Sequence, residues 1–122
     1  MFGILFTVII IMPVAIVFGG VVLKQCADSD INQTVGYRTK LSMKNKELWQ
    51  LANRTCAELW ITGGIIITVF SIALPFVSCL FLNETAGLCI CVFTIIAQVV
   101  AFILSIVKVE NKLKLYDNEN SK

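Results

Sequence analysis

LWITGGIIITVFSIALPFVSCLFLN, residues 59 to 83, and TAGLCICVFTIIAQVVAFILSIV, residues 85 to 107, are two uncharged apolar runs separated only by Glu84. Each exceeds the ~20 residues that an α-helix needs to cross a ~30 Å hydrocarbon core at 1.5 Å per residue. Membrane β-strands read as short alternating segments, so unbroken runs point to helices. With so short a link around Asn83, Glu84 and Thr85, the two runs predict an antiparallel helical hairpin. A third uncharged run, Met1 to Leu23, stands ahead of them. The expected fold is an all-α integral membrane protein forming one domain over 1–122, with spans at about 2–23, 59–82 and 86–107. Composition agrees: 57% of residues are hydrophobic, well above the roughly half found in soluble domains.

All ten basic residues fall in two places. Lys24, Arg38, Lys40, Lys44, Lys46 and Arg54 lie between the first and second spans, and Lys108, Lys112, Lys114 and Lys122 follow the third. By the positive-inside rule this predicts an external N-terminus, a cytoplasmic middle segment, a minimal external turn and a cytoplasmic tail at 108–122. The tail is expected to extend the third helix for a turn or two and then lose order, its lysines serving topology and contact with membrane lipids. A net charge of +2 argues against a nucleic-acid protein. A cleaved signal peptide is disfavoured for the first run, which lacks a basic start and a small-x-small site before Lys24.

Five cysteines without any histidine suggest neither a mixed zinc site nor another cofactor, and Cys79, Cys89 and Cys91 sit in or beside apolar runs as small hydrophobes. The glycosylation patterns beginning at Asn32, Asn53 and Asn83 read as chance, the first two being on the cytoplasmic side and the third against the membrane. Pro13 and Pro75 interrupt the first and second spans, and Gly19-Gly20 and Gly63-Gly64 offer places for close helix contact. Gln98 is the most polar side chain at mid-membrane depth, and an interhelical hydrogen bond to Thr68 or Ser71 would satisfy it.

The polar segment 32–57 carries the chemistry. Gly36-Tyr37-Arg38-Thr39-Lys40-Leu41 leads into Ser42, a good N-cap. Beyond it Leu48, Leu51, Ala52, Cys56 and Leu59 repeat at helical spacing, with Lys46, Glu47, Gln50, Arg54 and Glu58 on the other side. That pattern predicts an amphipathic helix lying on the cytoplasmic membrane surface before the second span, with Trp49 and Trp60 in the interfacial belt. Asn45 falls on the apolar face of this helix, where its amide needs a partner. A glycine, a tyrosine, a guanidinium with forked donors, several hydroxyls and two amides within so short a stretch form a candidate binding site, with Arg38 suited to a phosphate, a helix C-terminus or another anionic ligand.

Gly36-Tyr37-Arg38-Thr39, Ser42-Met43-Lys44-Asn45, Trp49 and Ala52-Asn53, placed just ahead of a membrane hairpin, resemble the signature of the SdpI/YfhL membrane protein family. The resemblance covers roughly residues 32 to 107. It implies a multi-pass protein of the bacterial plasma membrane with Gly36, Tyr37, Arg38, Thr39, Ser42, Asn45, Trp49 and Asn53 as its site. It further implies immunity to, or sensing of, a secreted membrane-active peptide such as the sporulation-delaying peptide, and in one longer member the holding of a transcriptional repressor at the membrane.

The residues leave three functions in view. A non-enzymatic immunity or sensing protein is the leading one. A small homo-oligomeric transporter or channel subunit is the second, with the paired glycines and Gln98 at helix contacts. An enzyme on lipid head groups comes last, because the chain offers no histidine, no paired intramembrane carboxylates and no evident activating base for Cys26 or Cys56.

Overall fold

The computed structural model describes residues 2–31 and 35–120; the glycosylation pattern beginning at Asn32 lies outside the described residues. The described residues form three helices, α1 (Phe2–Cys26), α2 (Lys46–Phe81) and α3 (Glu84–Asn120). All three are long and apolar enough to cross a membrane. Among the described residues no strand occurs. Trp49 of α2 meets the end of α1, Trp60 meets Ser105 and Ser71 meets Gln98, so the helices run up, down and up, with α2 touching both neighbours.

The distribution of side chains is inverted relative to a water-soluble bundle. Phe18, Phe93 and Phe81 are 71%, 72% and 79% exposed, while Ser71, Ser78, Thr94 and Gln98 are buried. Burying small polar groups while presenting phenylalanines outward is stable only where the surroundings are themselves apolar.

α2 and α3 have 36 and 37 residues, about 54 Å of helix each at 1.5 Å per residue. That is nearly twice what a bilayer core requires, so both project beyond it at the end that carries the basic residues. Here the sequence expectation needs correction: among the described residues no separate amphipathic helix precedes α2. Residues 46–58 are the first turns of α2 itself, continuous with its apolar length. Their apolar face meets protein instead of lipid, since Leu48, Ala52, Cys56 and Ala57 pack with Leu23, Tyr37, Val109 and Leu113 in the main buried cluster. An amphipathic stripe reports that a partner surface exists, and here α1 and α3 supply it. The N-cap is Asn45, not Ser42: its Oδ1 accepts from the Leu48 amide at 2.8 Å. The amide that interrupted the apolar face thus lies outside the helix. Trp49, placed by the sequence in the interfacial belt, is fully buried. The tail also differs from expectation, since α3 remains helical to Asn120, its Val109 and Leu113 held in the same cluster.

Close approach of α1 and α2 depends on glycine. A Cβ on Gly64 would lie 2.5 Å from Val17 Cγ2 and 3.3 Å from the Pro13 carbonyl oxygen. Gly63, its neighbour in sequence, faces open space. At mid-bundle Gln98 resolves a fault that a proline creates. Pro13 has no N–H to give the Ile9 carbonyl one turn back, and Gln98 Nε2 donates to that oxygen at 3.0 Å and to Ser71 Oγ at 2.7 Å. One amide therefore ties α3 to both other helices, including the bond to Ser71 that the sequence suggested. Thr68, the other candidate, donates instead to Gly64 of its own helix. Gln98→Leu should lower stability by about 1 to 2 kcal/mol, from two interhelical bonds in an apolar medium. Denaturation in mixed micelles checks this, and unchanged stability would show that the amide contributes nothing net.

Candidate functional site

The segment entering α2 is organised by one glycine and one indole. Gly36 has φ +126°, a conformation that side chains rarely adopt, and it lays the backbone across the edge of the Trp49 ring. A Cβ at Gly36 would come 2.6 Å from Trp49 Cη2 and 3.0 Å from Asn53 Oδ1. The turn aims the next amide inward: Tyr37 N–H donates to Asn53 Oδ1 at 2.9 Å. Asn53 Nδ2 in turn donates to the Trp49 carbonyl at 2.8 Å. Trp49 Nε1–H donates to the Cys26 carbonyl at 3.2 Å, satisfying one of the carbonyls left open at the end of α1.

A second knot follows at once. Ser42 Oγ donates to the Tyr37 carbonyl at 2.8 Å and accepts from the Thr39 amide at 2.8 Å. Thr39 Oγ1 accepts from the Ser42 amide at 3.2 Å. This reciprocal pair closes the turn over residues 39–42, after which Asn45 starts the helix. Asn53, Trp49 and Ser42 are all completely buried, where each unmade hydrogen bond would be costly.

Gly36, Tyr37, Thr39, Ser42, Trp49 and Asn53 are thus brought into one connected network, with Asn45 capping the helix beside it. The network occupies these residues with one another. Arg38 lies exposed on the backbone between Tyr37 and Thr39. Lys40, Lys44 and Lys46 are also exposed around it, so the buried knot has a basic outer rim.

The structure adds residues that the sequence did not suggest. Tyr37 Oη donates to Glu110 Oε1 at 2.8 Å, joining the motif to α3. Burial, and then the bond to Glu110, raise the Tyr37 phenol well above its ordinary value, so it remains a neutral donor. Lys44 Nζ meets both carboxylate oxygens of Asp117 at 2.9 Å, and Tyr116 Oη donates to Glu47 Oε2 at 3.0 Å. Lys46 pairs with Asp30 and Arg54 with Asp28, at 2.9 and 3.7 Å on the surface, where ion pairs contribute little. The projecting end of α3 is therefore clamped along the motif. Val109, Leu113 and Tyr116, one turn apart in sequence, carry the periodicity that would have signalled this extension.

All five cysteines are free, and among the described residues no group of three or more metal-ligating side chains is assembled.

Fold and site together define a small three-helix membrane protein whose basic end is built round a glycine–tryptophan knot. The chain belongs to the SdpI/YfhL protein family, whose model matches residues 29–108. It is 32% identical over 99 residues to the protein named "Uncharacterized protein YfhL" of Bacillus subtilis (strain 168), a match covering 81% of this chain and 79% of that one. No solved structure matches it.

Proposed function

We propose that this protein is a non-enzymatic component of a bacterial plasma membrane, with its N-terminus outside and its basic end in the cytoplasm, that protects against or senses a membrane-active peptide. The observation that carries this reading is the use of the polar motif. Its hydroxyls and amides are consumed in holding a shape, and the exposed Arg38 rides on that shape. A binding or signalling surface requires such rigidity.

The links to α3 suggest how a peptide is registered. Tyr37–Glu110 and Lys44–Asp117 connect the motif to the same helix that holds Gln98 at mid-bundle. A peptide inserting against the spans and shifting α3 would strain these contacts and move the Arg38 surface. Membership of the SdpI/YfhL family, with the immunity role that the motif's resemblance implies, agrees with this reading.

The experiment is survival of a sensitive bacterium challenged with sporulation-delaying peptide. Cells expressing this chain should survive, and cells expressing Arg38→Ala at equal membrane levels should be killed like an empty control. Lost protection at unchanged thermal stability of the Arg38→Ala protein then reports function. Equal killing of wild-type and empty cells would reject immunity to this peptide.

A further inference from the structure

Lys44, Lys46 and Arg54 all lie against carboxylates of the same chain. Among the described residues no carboxylate pairs with Lys24, Lys40, Lys114, Lys108 or Lys112, and the last two stand together. Both line a groove between α2 and α3, of about 770 Å³, whose walls include Leu59, Ile66 and Leu115. At Leu59, Gly63 and Lys108 this groove meets a second cavity of about 250 Å³, bounded also by Pro13 and Ile16 of α1, that continues inward to Gln98. Gly63 belongs to both, and beyond its missing side chain nothing lies within 4 Å.

The groove is graded as an amphiphile is graded. Lys108 is the first charge after the uncharged run of α3, and Lys112 stands one turn farther out, about 6 Å along the axis. Two ammonium groups are thus stacked at the depth of lipid phosphates, above an apolar channel running inward. Thr55, Thr62 and Asn111 add hydrogen-bonding groups, and Glu58 is the one carboxylate on the rim. The floor of the inner part is fixed by Trp60, whose indole donates to Ser105 at 3.0 Å and lies 5.3 Å from the Phe102 ring.

We propose that this groove is a specific site for phosphatidylglycerol, with the phosphate on Lys108 and Lys112, the glycerol hydroxyls donating to Glu58, and an acyl chain passing Gly63 toward Gln98. Charge selects this lipid: two lysines and one glutamate leave a single positive charge, which one monoanionic headgroup neutralises. A zwitterionic headgroup would leave the excess unbalanced. The site is separate from the Arg38 surface and does not depend on the function proposed for it.

The test is native mass spectrometry of the full chain released from bilayers containing equal phosphatidylglycerol, phosphatidylethanolamine and phosphatidylcholine. The wild type should retain one phosphatidylglycerol. Lys108→Gln with Lys112→Gln should weaken retention roughly thirtyfold, taking ~1 kcal/mol per basic side chain near the surface. Lys114→Gln, on the same helix but outside the groove, should leave it unchanged. Gly63→Leu keeps every charge and fills the channel, so it should abolish retention while helix content and elution volume stay those of the wild type. Equal retention of the three lipids would overturn the proposal, as would a loss on Lys114→Gln matching that of the groove lysines, or full retention by Gly63→Leu.

Discussion

Gly36→Ala is expected to release the motif from the bundle. The methyl group would have to occupy a backbone conformation with φ +126° and lie 2.6 Å from the Trp49 ring. Strain at such a position costs about 1 to 3 kcal/mol, and overpacking against a buried indole a further 1 to 3, together about 2 to 6 kcal/mol. The loss should be local, because Gly36 meets α2 at Trp49 and Asn53, about 27 Å along that helix from the Ser71 that Gln98 bonds. Amide exchange at Tyr37, whose N–H is bonded to Asn53, should speed up at least thirtyfold while amides around Gln98 keep their protection. The double variant Gly36→Ala, Trp49→Phe supplies an internal check. Cη2 and Cζ2 are absent from the smaller ring, so the overlap with it is relieved, leaving the backbone strain and the 3.0 Å approach to Asn53 Oδ1. The two changes should therefore be less harmful together than their sum, as expected of groups in contact. Wild-type exchange in Gly36→Ala would mean that the turn does not depend on glycine.

Trp49→Ala should be the most damaging single change at the basic end, by about 3 to 5 kcal/mol, the range for emptying a large aromatic from a packed interior. The indole is fully buried, backs the Gly36 turn and donates to the last turn of α1. Its removal opens a cavity and unties the end of α1 at once. Trp49→Phe keeps part of the volume but forfeits the bond to Cys26, and should cost about 1 to 2 kcal/mol. Because the chain has two tryptophans, a Trp60→Phe background isolates the emission of Trp49. Native emission should be that of a dry indole and should shift to the red as the basic end opens. Emission already typical of water in the native state would contradict the buried placement.

These predictions concern residues that the sequence singled out without giving their structural role. Gly36, Tyr37, Thr39, Ser42, Trp49 and Asn53 stood out as a dense polar cluster, and the structure joins them in one network. Trp49 nevertheless looked like an interfacial anchor, because an indole beside an amphipathic stripe suits the membrane surface. What buries it is the Gly36 turn folding over the ring edge and the end of α1 arriving at its Nε1. Ser42 similarly looked like a helix cap, and its hydroxyl is occupied in closing the turn with Thr39, which leaves Asn45 to start α2. Neighbouring residues with the same capping chemistry are distinguished only by the path of the chain.

Glu110, Cys26 and Asp117 could not have been assigned to the site from their surroundings in the sequence. Glu110 and Asp117 reach their partners across 73 residues, and Gln98 reaches Ile9 across 89. By itself the sequence determined that this is a protein of three membrane-crossing helices with a polar motif ahead of a hairpin, because transfer into lipid sums side by side along the chain and needs no knowledge of packing. Only the tertiary structure decided that α2 is a single helix, that the motif is a buried knot clamped to α3, and that Gln98 replaces the hydrogen bond lost at Pro13. A hydrogen bond acts over about 3 Å, so its partner is chosen by which helix faces meet.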